Sequence, residues 1–306
     1  MPDPPGLRDS LAVEWYKLRR RPLPWLLLGA MLAFVVLANL ACLLLALAPP
    51  VTPGVAAATA ALRQLVAPPN SLYVTLSSVN QVGAMLAIIL GATVAGGEQH
   101  WGTLRLMLTR QPDRRRYLGG LLLALALALL AGLLAVALAG LLVSLGVALA
   151  SGLPVAWADL VAALTGPAYY RSLALSYAAL LIYLLLGVAV TLLTRSLPAG
   201  LGASFTYYLV DAILVPNTLG LVRDALLALP GLGPLVGFGS RLLLGYNLAL
   251  IHGAASSQLR LDGAAAGLIE ATAFPWPSLA AVAAHALLLA VIPFVALQRR
   301  DLGAPG

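Results

Sequence analysis

The chain has 306 residues, 61% of them hydrophobic and only 9% charged, with a net charge of +7. At a mean hydropathy of +0.96 it holds more apolar surface than a soluble domain of this length can bury, so its solvent is the lipid bilayer. The basic residues are spread along the margins of apolar runs and no recognition module is visible, which excludes nucleic acid as a partner.

About 20 apolar residues are needed to cross about 30 Å of hydrocarbon, and they must be helical because lipid cannot bond exposed backbone groups. The fold class is therefore an all-α integral membrane protein, a single transmembrane domain over residues 1–306 with six spans. Residues 7–21 come first as an interfacial helix, with Leu7, Leu11, Trp15 and Leu18 at helical spacing and Arg8, Lys17 and Arg20 in reach of headgroups. Pro22 and Pro24 turn the chain into the first span, 24–48. That run is too long for a cleavable leader and is expected to be an uncleaved anchor. It carries Cys42, the only cysteine, so neither an intramolecular disulfide nor a cysteine-based metal site is expected.

A loop on the outer side holds a short helix over 55–66 between prolines, and the second span follows at 71–96. Asn80 and Gln81 lie in its outer half, where an amide either bonds a neighbouring helix or meets a substrate. Residues 98–117 form a cytoplasmic loop, EQHWGTLRLMLTRQPDRRRY. Trp101, Leu104, Met107 and Leu108 fall on one helical face, Glu98, Gly102, Arg105 and Thr109 on another, and Gln111–Pro112 is a stop. By periodicity alone an ordinary membrane-surface helix fits equally well.

The third span, 118–150, repeats small residues every fourth position: Gly120, Ala124, Ala128, Gly132, Gly140 and Ser144, broken by Val136. This pattern lets a neighbouring backbone approach, although lipid-facing alanine in a Leu/Ala-rich sequence produces a similar pattern. The fourth span is 171–194 and the fifth 199–222, with Pro216 expected to kink or end it. Asp211 is an acid deep in that fifth span, expensive there and a functional candidate. Its possible roles are a contact to a substrate cation, a proton carrier, or a capped, hydrogen-bonded acid at a helix break. Residues 223–273 read as an outer segment with one or two short helices dipping into the membrane, and the sixth span is 274–298. Arginines cluster before the first span, between the second and third, after the fourth and after the last, so both termini are expected in the cytoplasm.

No catalytic constellation stands out. Lys17 is the only lysine and no Gly-rich loop precedes it, so a phosphate-binding P-loop is absent. His100, His252 and His285 are far apart and lack a glutamate at ligand spacing, so no metal site is expected. Two Gly/Ser patches, 202–204 and 237–240, are common features of membrane helices.

The order Glu98-x-x-x-Gly102–Thr103–Leu104–Arg105-x-x-Leu108-x-x-x-Pro112-x-x-Arg115 resembles the loop of ABC transporter permeases of the second type, as does Glu14-x-x-Lys17–Leu18–Arg19–Arg20 before the first span. Gly119–Gly120 stand where that family usually has a lysine. The resemblance implies the plasma-membrane subunit of an ATP-driven exporter, not itself an enzyme and binding no cofactor. It would pair with a second permease chain and with separate ATP-binding cassette ATPase subunits that hold ATP and Mg. It further implies that 7–21 and 98–117 act as coupling helices, with Glu98, Trp101, Gly102, Thr103, Arg105 and Arg115 at the ATPase. Asn80, Gln81 and Asp211 are the candidates for the substrate path. Two other readings stay open: a secondary transporter carrying protons on Asp211, for which no inverted repeat is visible, and a membrane enzyme or assembly factor, for which few convergent polar residues exist.

Overall fold

The computed structural model describes residues 6–47, 49, 52–100, 114–214, 228, 229, 233–256 and 276–298, and all regular structure among them is helical. In chain order the helices are α1 (Leu7–Arg20), α2 (Pro22–Ala46), α3 (Pro53–Val66), α4 (Asn70–Ser78), which passes through a π-turn (Val79–Gly83) into α5 (Ala84–His100), α6 (Arg114–Ala150), α7 (Trp157–Thr165), α8 (Pro167–Thr194), α9 (Leu197–Leu214), α10 (Gly233–Leu242), α11 (Leu244–Ser256) and α12 (Trp276–Gln298).

Five segments are long and apolar enough to cross a bilayer: Pro22–Ala46, Asn70–Gly97, Arg114–Ala150, Pro167–Thr194 and Trp276–Gln298. The chain is thus a multi-pass helical membrane protein. The expected fifth span, 199–222, coincides with α9 as far as Leu214, and 215–222 lie outside the described residues. α9 is not among the five. Of the segment 223–273, the described part forms α10 and α11.

α8 is the central helix, packed against α5, α9, α11 and α12. Its residues 182–189 are all buried. Glycines make that density possible. Gly91 lies directly on the Leu184 carbonyl, and a Cβ on Gly187 would stand 2.5 Å from the Ile88 carbonyl oxygen. In lipid, where apolar burial does not drive helices together, such backbone approach maximises dispersion contact. α8 starts with Pro167 at a position that has no N–H to lose. It ends at Arg195, whose left-handed backbone (φ 56°) and N–H to the Thr191 carbonyl (3.1 Å) close the last turn.

α6 has 37 residues, or about 55 Å at 1.5 Å per residue, well beyond the hydrocarbon thickness. Its helix begins at Arg114, four residues before the expected start. Arg114 Nη1 donates to the carbonyls of Leu297 (2.8 Å) and Gln298 (3.2 Å), so a guanidinium sits on the negative C-terminal end of α12. α1 lies across the same end of α6. Its covered face is Ser10, Glu14 and Leu18, while Leu7 is half exposed. Leu18 of the expected apolar face is buried and Leu7 Cδ1 stands 3.4 Å from the Cβ position of Gly119, but the tightest approach is made by a serine: a Cβ on Gly120 would stand 2.7 Å from Ser10 Cβ. Glu14, now covered, takes Lys17 Nζ at 2.6 Å.

At the opposite end, Arg63 Nε caps the Ala46 carbonyl of α2 at 2.8 Å. The Thr52 hydroxyl accepts the Val55 N–H at the start of α3 (3.3 Å). Tyr73 and Tyr169 meet edge-on at 6.3 Å.

Candidate functional site

The most organised polar cluster lies where α9 meets the start of α11. Asp211 has no exposed surface. Its Oδ1 and Oδ2 accept the Gly245 N–H at 2.8 and 2.7 Å, and Oδ2 also accepts Tyr183 Oη at 2.9 Å. The Tyr246 backbone N–H donates to the same carboxylate. One turn earlier on α9, Tyr207 Oη accepts the Leu244 N–H at 3.2 Å.

The first amides of a helix have no partner within it and carry the positive end of its dipole. α9 therefore caps α11 from outside, with a carboxylate and a phenol placed one turn apart. Gly245 is required by this approach, since a Cβ there would stand 2.7 Å from Asp211 Oδ2. The acid is hydrogen-bonded and caps the start of another helix, while it lies within α9 and not at a helix break.

One further side chain joins the cluster to α4–α5. Tyr208 packs edge-on against Tyr183, with centroids 5.6 Å apart, and its Oη donates to the Gln81 carbonyl at 2.7 Å. Gln81 lies in the π-turn, where the shift from i+4 to i+5 bonding frees backbone carbonyls for outside donors. Of the two amides expected on the substrate path, the Gln81 side chain is exposed, and Asn80 Oδ1 is buried with no hydrogen-bond partner. Both belong to the π-turn. Asp211 and the Gln81 backbone are thus brought together through Tyr183 and Tyr208.

The small residues of α6 are not equivalent. Gly120 meets α1, Ala124 is fully buried, and Gly140 meets α4, where a Cβ would stand 2.5 Å from Thr75 Cγ2. Ala128 is half-buried, and a Cβ on Gly132 would find nothing nearer than Leu28 Cδ1 at 3.9 Å. Among the expected ATPase contacts, Glu98 belongs to the last turn of α5 and Arg115 is exposed on the first turn of α6. Trp101, Gly102, Thr103 and Arg105 lie outside the described residues.

Reading the sequence missed Tyr183, Tyr207, Tyr208 and Gly245. The spacing of Tyr207, Tyr208 and Asp211, at i−4, i−3 and i on one helix, was an available signal. Nothing local marks Gly245, which is 34 residues away. Compared with known protein families, curated proteins and solved structures, the chain has no match.

Proposed function

We propose that the chain is the membrane-spanning permease subunit of an ATP-driven exporter in the plasma membrane. Two permease chains would form the path and separate ATP-binding cassette ATPases would drive it. The observation that carries this reading is the motif from Glu98 to Arg115 between two long apolar helices, in a chain whose only lysine excludes a P-loop of its own. The neighbourhood of that loop supports it. The start of α6 is joined to the end of α12 through Arg114, and α1 is seated on Gly120. A force applied to the loop would therefore reach three helices together.

Six crossings with both termini cytoplasmic are part of this reading. α9 would be the sixth. It starts beside the end of α5, where Leu197 Cβ stands 3.1 Å from the Cβ position of Gly96, and α12 must finish beside the start of α6. A chain that starts and finishes at one end of the bundle needs an even number of crossings. The basic residues near the starts of α2 and α6 and after α8 then fall on one side.

The test is co-purification with an ATPase encoded beside this gene, followed by ATP-dependent transport in vesicles. We expect a stable complex, and loss of coupled ATPase activity in Glu98→Ala and Arg105→Ala while the permease still folds. Absence of a complex, together with transport untouched by both substitutions, would remove the exporter reading.

A further inference from the structure

A cavity of about 360 Å³ lies between α1, α2, the α4–α5 helix and α6. That volume is within the range of small-molecule sites. Its walls are apolar, and Arg19 is the one charged residue in its lining. The cavity has a specific origin. α6 presents Ala128, Gly132 and Ala135 to it, and Leu28, the α2 side chain nearest Gly132, comes no closer than 3.9 Å to the Cβ position there. Val79 and Gly83 of the π-turn line one part of it. Trp15, Arg19 and Trp25, where α1 passes into α2, line another, with Trp25 Nε1 donating to the Arg19 carbonyl at 3.0 Å.

We propose that this groove is a binding site for one anionic glycerophospholipid, its acyl chain along α2 and α6 and its phosphate on Arg19. The site has the polarity of such a molecule: one cation and two indoles at one end, hydrocarbon beyond. Indoles sit preferentially at headgroup level. From Pro24 to Met31 the α2 wall rises about 10 Å, a depth that suits an alkyl chain. A helix of another protein, about 10 Å across, is too wide for the space. Charge selects an anionic headgroup. Neighbouring cations are engaged, Lys17 with Glu14 at 2.6 Å and Arg20 over the Tyr16 ring at 5.3 Å, whereas among the described residues no carboxylate pairs with Arg19. This inference does not depend on the exporter reading.

Native mass spectrometry of the purified full chain, titrated with dioleoyl-phosphatidylglycerol or dioleoyl-phosphatidylcholine, tests it. The wild type should retain one phosphatidylglycerol molecule with a several-fold preference over phosphatidylcholine. Arg19→Gln, at an exposed position, should reduce that preference to near unity. Gly132→Leu, which fills the groove from a position whose Cβ would meet only Leu28 Cδ1, at 3.9 Å, should abolish retention of both lipids. Ala131→Phe, exposed on the same wall, should repeat that result if Gly132→Leu does not fold. Equal retention of the two lipids by the wild type, an unchanged preference in Arg19→Gln, or undiminished retention in a folded groove-filling variant would each overturn the proposal.

Discussion

The Asp211 carboxylate grips the Gly245 N–H with both oxygens, at 2.8 and 2.7 Å, across 34 residues of sequence. The contact leaves no room for a side chain on residue 245. Gly245→Ala should therefore lower the thermal midpoint in detergent, by the equivalent of about 1–3 kcal/mol, the usual cost of forcing an extra methyl into a filled site. Gly239→Ala in α10, where nothing lies within 4 Å of the Cβ position, should be neutral or slightly stabilising.

Asp211→Asn keeps the shape but turns one acceptor into a donor facing the α11 amides. The expected cost is about 1–3 kcal/mol, and Tyr183→Phe should cost about 1 kcal/mol. Because Tyr183 bonds Asp211 directly, the double variant should lose less than the sum of the two, as seen by thermal melts. If the proposed exporter reading holds, Asp211→Asn kept below its melting temperature should retain ATP-dependent transport in vesicles. Complete loss of a proton-gradient-driven flux in that variant, with no dependence on ATP, would favour the proton-carrier reading instead.

The small residues of α6 should separate into two classes. Gly120→Val and Gly140→Val press a branched side chain into Ser10 and Thr75 respectively. Each should lower stability by about 1–3 kcal/mol. A Cβ on Gly132 would meet nothing nearer than Leu28 Cδ1, at 3.9 Å, so Gly132→Val should leave the melting temperature unchanged or raise it. Equal losses at all three positions would show that the whole stripe is close-packed.

Arg114→Gln should free the last carbonyls of α12. Amide exchange should accelerate in the final turns of α12, near Leu297, while the global midpoint falls by the equivalent of only about 0.5–1.5 kcal/mol. Unchanged exchange there would mean that the guanidinium bonds at 2.8 and 3.2 Å do not hold the helix end.

Much of the architecture was legible because lipid permits few alternatives. Long apolar runs had to be helices, and five of them are helices long enough to cross a membrane. The N-terminal helix was expected over 7–21, ahead of Pro22, and it occupies Leu7–Arg20. The π-turn at Val79–Gly83 and the short helix α7 were not legible. The first changes hydrogen bonding without changing composition, and the second is too short for periodicity to distinguish it from a loop. At the site, an acid amid apolar residues was conspicuous at Asp211. Its donors were not, since three of them are backbone amides or a tyrosine on other helices.

By itself the sequence determined the solvent of this protein, the helices it must form and the exceptional acid among them. Each of these follows from transfer free energy, which is a property of one residue or one segment. Only the tertiary structure decided that Asp211 caps α11, that Ser10 and Glu14 are covered along with Leu18, and that Gly120 and Gly140 close a seam while Gly132 borders a groove. Those outcomes depend on which backbone stands within a few ångströms of a given Cβ. That is a relation between segments, and no single segment encodes it.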